Sequence, residues 1–184
     1  MAFSPLIRDE TPDDIPTIRA VTIAAFETLA ISLHTEHWII EALRAAGALT
    51  VSLVAVLEDQ VVGHIAFSPV TMSDGSAGWY GLGPLSVLPP YQGQGIGTAL
   101  VKAGLSRLQD LKAQGCCVVG HPAYYPRFGF EPSLVLTCED IPPEFFFVLS
   151  FQGQVPQGTA TFHSGFEVDD DPAEPDESQS FSLG

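Results

Sequence analysis

Three glycines at alternate positions, Gly93, Gly95 and Gly97, stand between a β-type run that ends near Leu88 and a helical run that begins near Gly95. The segment reads Gln92-Gly93-Gln94-Gly95-Ile96-Gly97-Thr98. Missing Cβ atoms leave the backbone bare where a strand becomes a helix, so an anion can approach the amides closely. The helix N-terminus adds unsatisfied N–H groups and a partial positive charge. Together they form a phosphate site that needs no basic side chain, and the loop has none. A glycine-rich turn without a ligand is the plain alternative. Spacing removes two others: a dinucleotide fingerprint needs G-x-G-x-x-G, and a P-loop needs a Lys after its last glycine.

The flanking pattern predicts one α/β domain. Leu6–Asp9 is a short apolar segment that fits a first strand. Thr11-Pro12-Asp13-Asp14 starts a helix, and Ile15, Ile18, Val21, Thr22, Ala25, Phe26 and Leu29 recur at helical spacing. A second helix spans about Thr35 to Ala46, with Trp38, Ile39, Ala42 and Leu43 sharing a face and Gly47 ending it. The period then changes. Val51–Leu57 and Val61–Val70 form a hairpin about Glu58-Asp59-Gln60, and Trp79–Leu88 follows a turn at Ser73–Ser76. The helix after the glycine loop runs to about Lys112, with Ile96, Ala99, Leu100, Ala103 and Leu111 near one face. Cys116–Val119 is a short strand of the fully buried type. Pro122–Phe128 is a short helix or turn, and late strands come from Val135–Cys138, Phe145–Phe151 and Thr159–Phe166.

Charge narrows the partners. The net charge is −15, with seven Lys plus Arg. That field disfavours nucleic acid and anionic membranes. Seven of the 22 acids lie between Glu167 and Glu177, in a Pro- and Ser-rich tail expected to be solvated. The domain is therefore placed at residues 1–166 and an acidic tail at 167–184. The domain alone keeps 15 acids against seven bases, a net of −8, which favours a cationic substrate. Three cysteines, two of them adjacent in an apolar run, imply neither a disulfide framework nor a metal site. No apolar run is long enough to span a bilayer, and the N-terminus does not have the form of a signal peptide. A cytoplasmic protein is expected.

Two linked motifs carry a resemblance. Gln92-x-x-Gly95-x-Gly97 follows the strand Leu82–Leu88, and Ala123-Tyr124-Tyr125-Pro126-Arg127-Phe128-Gly129-Phe130 follows a helix and an apolar strand later. In that order and at that separation the chain resembles the GNAT superfamily of N-acetyltransferases, over about residues 5–135. The stretch from Gly81 to Pro132 looks most like the subgroup of predicted acetyltransferases with a YYxRFGF motif. The resemblance implies a mixed, mostly antiparallel sheet, splayed in the middle and flanked by helices on both faces. It implies acetyl-CoA as acyl donor, an amine-bearing acceptor and no metal. The exposed strand backbone at Leu85, Ser86 and Val87 would pair with the pantetheine arm. The amides of Gln92, Gly93, Gln94, Gly95, Ile96, Gly97 and Thr98 would hold the pyrophosphate. Pro84 suits a strand not fully paired on one side.

Tyr125, four residues before Gly129, falls where the family places a Tyr beside the thioester sulfur, to protonate or stabilise the leaving thiolate. An aromatic wedge in the core is its other role, and Tyr124 reads mainly as packing. The pattern departs in two places. Gly120-His121-Pro122 stands where many members carry an Asn, and neither strand at the loop contains an acid to serve as base. His121 is the first candidate for that proton transfer, because an imidazole titrates near neutral pH. His64, on a strand face, and His34, Glu36 and His37, at the second helix, are lesser candidates. Two functions follow: an N-acetyltransferase using direct attack in a ternary complex, or an acyl-CoA-binding regulatory protein with weak or no transfer activity. Phe145–Phe151 offers an edge for pairing in a homodimer.

Overall fold

The alternating apolar runs pair edge to edge, as a period of two requires. The computed structural model describes residues 4–169. Strands β1 (Leu6–Asp9), β2 (Val51–Leu57), β3 (Gln60–Met72) and β4 (Trp79–Val87) are antiparallel neighbours. Beyond them β5 (Gly115–Val119) joins β4 in parallel, and β7 (Phe146–Ser150) joins β5 antiparallel. The sheet order is β1-β2-β3-β4-β5-β7. Off this path, β8 (Gly158–Phe162) pairs with the far end of β3, and β6 (Leu136–Cys138) pairs with β8.

The parallel β4–β5 ladder stops early. It joins Trp79–Leu82 to Gly115–Val118 and goes no further. From Gly83 onward β4 has β3 on one side and no strand on the other, so the sheet opens into a gap at Leu85–Val87. A parallel neighbour needs a crossover, and helix α3 (Ile96–Asp110) supplies it from the end of β4. The glycine loop is therefore the start of the crossover and lies at the mouth of the gap.

Both faces of the sheet are covered. Ile96, Leu100, Val101, Leu105 and Leu108 of α3 pack on Leu53, Ala55, Ile65, Phe67 and Leu82. On the opposite face α1 (Ile15–Phe26) and α2 (Glu36–Ala45) bring Ile18, Val21 and Ile40 against Val54 and Val61. Each fully buried aliphatic contributes roughly 1.5–3 kcal/mol of transfer free energy. Gly104 faces the edge of the Phe67 ring, and a Cβ there would collide with its Cε2 and Cζ atoms. Among the described residues no helix is long and apolar enough to cross a membrane.

Four details differ from expectation. α1 ends at Phe26, leaving Leu29 beyond the helix and 44% exposed. Leu111 is 55% exposed, because α3 ends at Asp110 and Leu111 is its cap residue. The buried side of α2 is Ile40 and Leu43, not Trp38 and Ile39. The Trp38 ring instead takes the Arg19 guanidinium at 4.2 Å, a use that helical spacing does not reveal. Finally, β8 stops at Phe162 and a short 3-10 turn, Ser164–Glu167, follows. There His163 Nδ1 accepts the Gly165 N–H at 3.0 Å, and Gly165 packs on Leu43. The acidic tail from Asp170 on lies outside the described residues. Phe146–Ser150, expected to offer an edge, pairs with β5 on one side, and Val148 is bridged by Glu131.

Candidate functional site

The gap in the sheet and the glycine loop share one cavity of about 390 Å³. Leu85 and Val87 form its strand wall, Gln92, Gly93 and Gly95 its loop wall, and Ile96, Gly97 and Thr98 its helix wall. Tyr91, Tyr124 and Arg127 close it.

The strand wall has free backbone groups for a reason of register. Leu88 N–H donates to Val62 O at 2.9 Å, so in β4 the even positions direct their amides and carbonyls toward β3. Ser86, opposite His64, is bound in that ladder. Leu85 and Val87 consequently point their backbone groups into the gap. Val87 O is already taken, accepting from Gln92 Nε2 at 2.9 Å, which ties the loop to the strand end. Gln94 braces the loop from outside through Nε2 to Pro90 O at 3.3 Å.

The loop wall depends on glycine at two positions. Gly93 and Gly95 have φ of 74° and 85°, in the left-handed region that a side chain strains. No atom lies within 4 Å of a Cβ built at either. Ala99 N–H is the donor that reaches back to Gly95 O, at 3.0 Å, so the amides of Ile96, Gly97 and Thr98 have no partner within the helix. They face the cavity as a cluster of donors at the positive end of a 15-residue helix. An anion such as a phosphate or diphosphate is the group this arrangement holds.

The two tyrosines divide differently from expectation. Tyr124, expected to pack, lines the cavity, with its hydroxyl 3.0 Å from where a Gly97 Cβ would stand. Tyr125 lies beside it, half-buried, edge-on to Tyr124 at 5.1 Å and to Phe130 at 5.9 Å. Its ring rests on Gly120, where any Cβ would collide with it. Burial pushes the Tyr125 phenol above its usual range, with Tyr124 and Cys116 adding to the shift, so it stays protonated at neutral pH. His121 is exposed, and its Nδ1 accepts the Ala123 N–H at 3.0 Å within the turn leading to the tyrosines.

Ser86 and His64 face away from the cavity, beneath α1 and α2. His64 is fully buried, with Nε2 2.7 Å from Ser52 Oγ. Burial, and secondarily the Arg44 charge, lowers its pKa to about 3. Its ordinary value is 6.5, so on acidification the unfolded chain takes up this proton first. Stability should fall from about pH 6.5 downward by as much as ~1.4 kcal/mol per pH unit. Asp14, held at about 2 chiefly by its hydrogen bond from Arg8, adds to the loss only below its ordinary 3.8. Urea titrations between pH 7 and 4 check this: His64→Gln should lower stability at pH 7 yet flatten the slope by about one proton.

Cys116 and Cys117 are buried free thiols, as their apolar run suggested, and burial pushes Cys117 up to about 12. Among the described residues no cluster of three or more His, Cys, Asp or Glu side chains is placed to hold a metal ion.

The structure thus brings together Leu85, Val87, Gln92, Gly93, Gly95, Ile96, Gly97 and Thr98. Gln94, Ser86, Tyr125 and His121 are not among the lining residues: Ser86 lies on the other face, Tyr125 is half-buried beside Tyr124, and His121 is exposed in the turn before the tyrosines. Arg127 was not singled out from the sequence. Its signal was the i, i+3 spacing from Tyr124 on a one-turn helix, which stacks the two side chains.

A half-open mixed sheet, with an anion cradle where its central strand loses a neighbour, defines the architecture of a coenzyme-dependent acyltransferase. The acetyltransferase (GNAT) domain family matches residues 49–132. Over 127 residues the chain is 41% identical to an uncharacterized N-acetyltransferase of Escherichia coli K12, YhbS, which covers 68% of this chain and 73% of that one. The chain belongs to the GNAT family of acetyltransferases. Its fold superposes on a GNAT family acetyltransferase from Brucella melitensis, solved in complex with acetyl-CoA, with TM-score 0.80, 46% identity and coverage of 89% and 99%. It superposes on the Escherichia coli YhbS structure, solved in complex with CoA, with TM-score 0.81, 34% identity and coverage of 91% and 94%.

Proposed function

We propose that this protein transfers an acetyl group from acetyl-CoA to a primary amine of an acceptor, by direct attack within a ternary complex. One observation carries the reading. The cavity joins a cluster of free amides at Ile96–Thr98 to the free backbone groups of Leu85 and the free N–H of Val87, whose carbonyl is held by Gln92. A diphosphate followed by an extended, amide-bearing pantetheine arm needs that sequence of partners. The acetyl-CoA and CoA complexes of the Brucella and Escherichia proteins support the same donor.

The amine nitrogen attacks the thioester carbonyl, a C–N bond forms, the C–S bond breaks, and CoA leaves as a thiolate. A phenol that stays protonated is suited to give that sulfur its proton, and the adduct nitrogen releases one in turn. We assign the donor role to Tyr125, held at the end of β5 by its contact with Gly120. His121 we assign to the turn that carries both tyrosines. Its Nδ1 is committed to the Ala123 N–H within that turn. The amine then arrives deprotonated, and positioning supplies most of the rate. The acid excess favours a cationic acceptor.

The test is thiol release from acetyl-CoA with a panel of primary amines. Amine-dependent release above hydrolysis is expected. Tight acetyl-CoA binding without release from any amine contradicts transfer and leaves an acyl-CoA-binding protein. Tyr125→Phe should lower turnover by about 10²- to 10⁴-fold with CoA affinity nearly unchanged. Tyr124→Phe should act on CoA affinity and spare turnover.

A further inference from the structure

Arginine pairing in this chain is uneven. There are seven Lys plus Arg against 22 acids. Arg8, Arg19, Arg44 and Arg107 each bind a carboxylate: Asp14, Glu41, Glu10 and Asp9, at 2.5–2.9 Å. Arg127 forms no ion pair among the described residues. It is instead fixed by neutral groups. Its Nε donates to Tyr124 O at 2.9 Å, Nη2 lies 3.5 Å from Ala123 O, and the guanidinium rests 4.5 Å over the Tyr124 ring. The remaining N–H groups are uncommitted, and Arg127 is a wall of the cavity whose other wall is the glycine loop.

A full positive charge left unpaired in a chain of net charge −15, and aimed at an anion cradle, has a specific use. CoA is a polyanion that the overall field repels. The loop amides and the helix dipole offer only about half a charge. We propose that Arg127 is the cationic wall of this site, holding the CoA diphosphate against the amides of Gly95–Thr98, with the Tyr124 ring fixing its guanidinium plane. This rests on the donor reading above and adds the residue that supplies charge where the loop has none. Lys replaces it only in part, because an ammonium keeps the charge but neither stacks flat on the ring nor keeps both carbonyl contacts while presenting a fork to phosphate.

The experiment measures the affinities of CoA, 3′-dephospho-CoA and pantetheine for the wild type, Arg127→Gln and Arg127→Lys by calorimetry, with melting temperatures as a folding control. Arg127→Gln should weaken CoA and 3′-dephospho-CoA by the same factor, about 10- to 100-fold, and leave pantetheine unchanged. Arg127→Lys should recover part of the loss, and the salt dependence of CoA binding should become shallower in Arg127→Gln. Unchanged CoA affinity in Arg127→Gln overturns the assignment. A loss confined to CoA, with 3′-dephospho-CoA unaffected, also overturns it, because the arginine would then hold the 3′-phosphate. If the wild type binds neither nucleotide, the donor reading itself falls.

Discussion

Gly95→Val should cost at least about 100-fold in CoA affinity while the protein stays folded. Gly95 caps α3 with φ of 85°, a conformation that a β-branched residue adopts at a cost of about 1–3 kcal/mol. The loop is exposed and can relax to relieve that strain. Relaxation turns the amides of Ile96, Gly97 and Thr98 away from a common point, and the Val side chain fills space the backbone leaves open. The loss is thus local, in binding, and the helix downstream stays packed by Leu100, Val101 and Leu108. Gln94→Ala is the matched control, because that side chain braces the loop from outside at 3.3 Å, and less than a threefold change is expected. Calorimetry with CoA, beside a thermal melt, measures both. A Gly95→Val protein that binds CoA within threefold of the wild type would show that the amide cluster is not the anchor.

Gly104→Ala should destabilise the whole domain. One methyl at that position collides with the edge of the Phe67 ring, and Phe67 is fully buried on β3. Either the ring leaves its rotamer or α3 lifts from the sheet. Overpacking of this kind costs about 1–3 kcal/mol, or more where nothing can shift. For a domain of this size that is a melting-temperature drop of about 2–4 °C per kcal/mol. Donor affinity should fall with it, because α3 carries the cradle at its first turn. Adding Phe67→Leu makes room for the methyl and should recover part of both losses. If Gly104→Ala melts with the wild type, the close seating of α3 on Phe67 is wrong.

Sequence patterns revealed the framework because each element carries its own period. Val51–Leu57 was legible to the residue, and α1, α2, α3, β4 and β5 began or ended within about three residues of expectation. Side-chain direction was legible less often. Trp38 and Leu111 sit on helical spacing yet stay out of the buried core, because an arginine stack and a helix end decide their fate. The same limit governed the site. The glycine loop was readable, since backbone conformation and spacing are written in glycine. Which of Leu85, Ser86 and Val87 turns its backbone to the gap depends on register with β3, and that is a long-range fact. Tyr124 and Tyr125 are adjacent, so only the placement of Gly97 and Gly120 tells which ring enters the cavity. Arg127 stands within the tyrosine motif, but its place on the cavity wall follows from its stack on Tyr124 and from the lack of an ion pair among the described residues, neither of which spacing alone reveals.

A crystal structure with acetyl-CoA decides whether this cavity is the donor site. The diphosphate should lie on the amides between Gly93 and Thr98, the pantetheine arm along Leu85 and Val87, and the thioester at the sheet gap near the Tyr125 hydroxyl. Acetyl-CoA bound elsewhere on the protein, with the glycine loop empty, would contradict it.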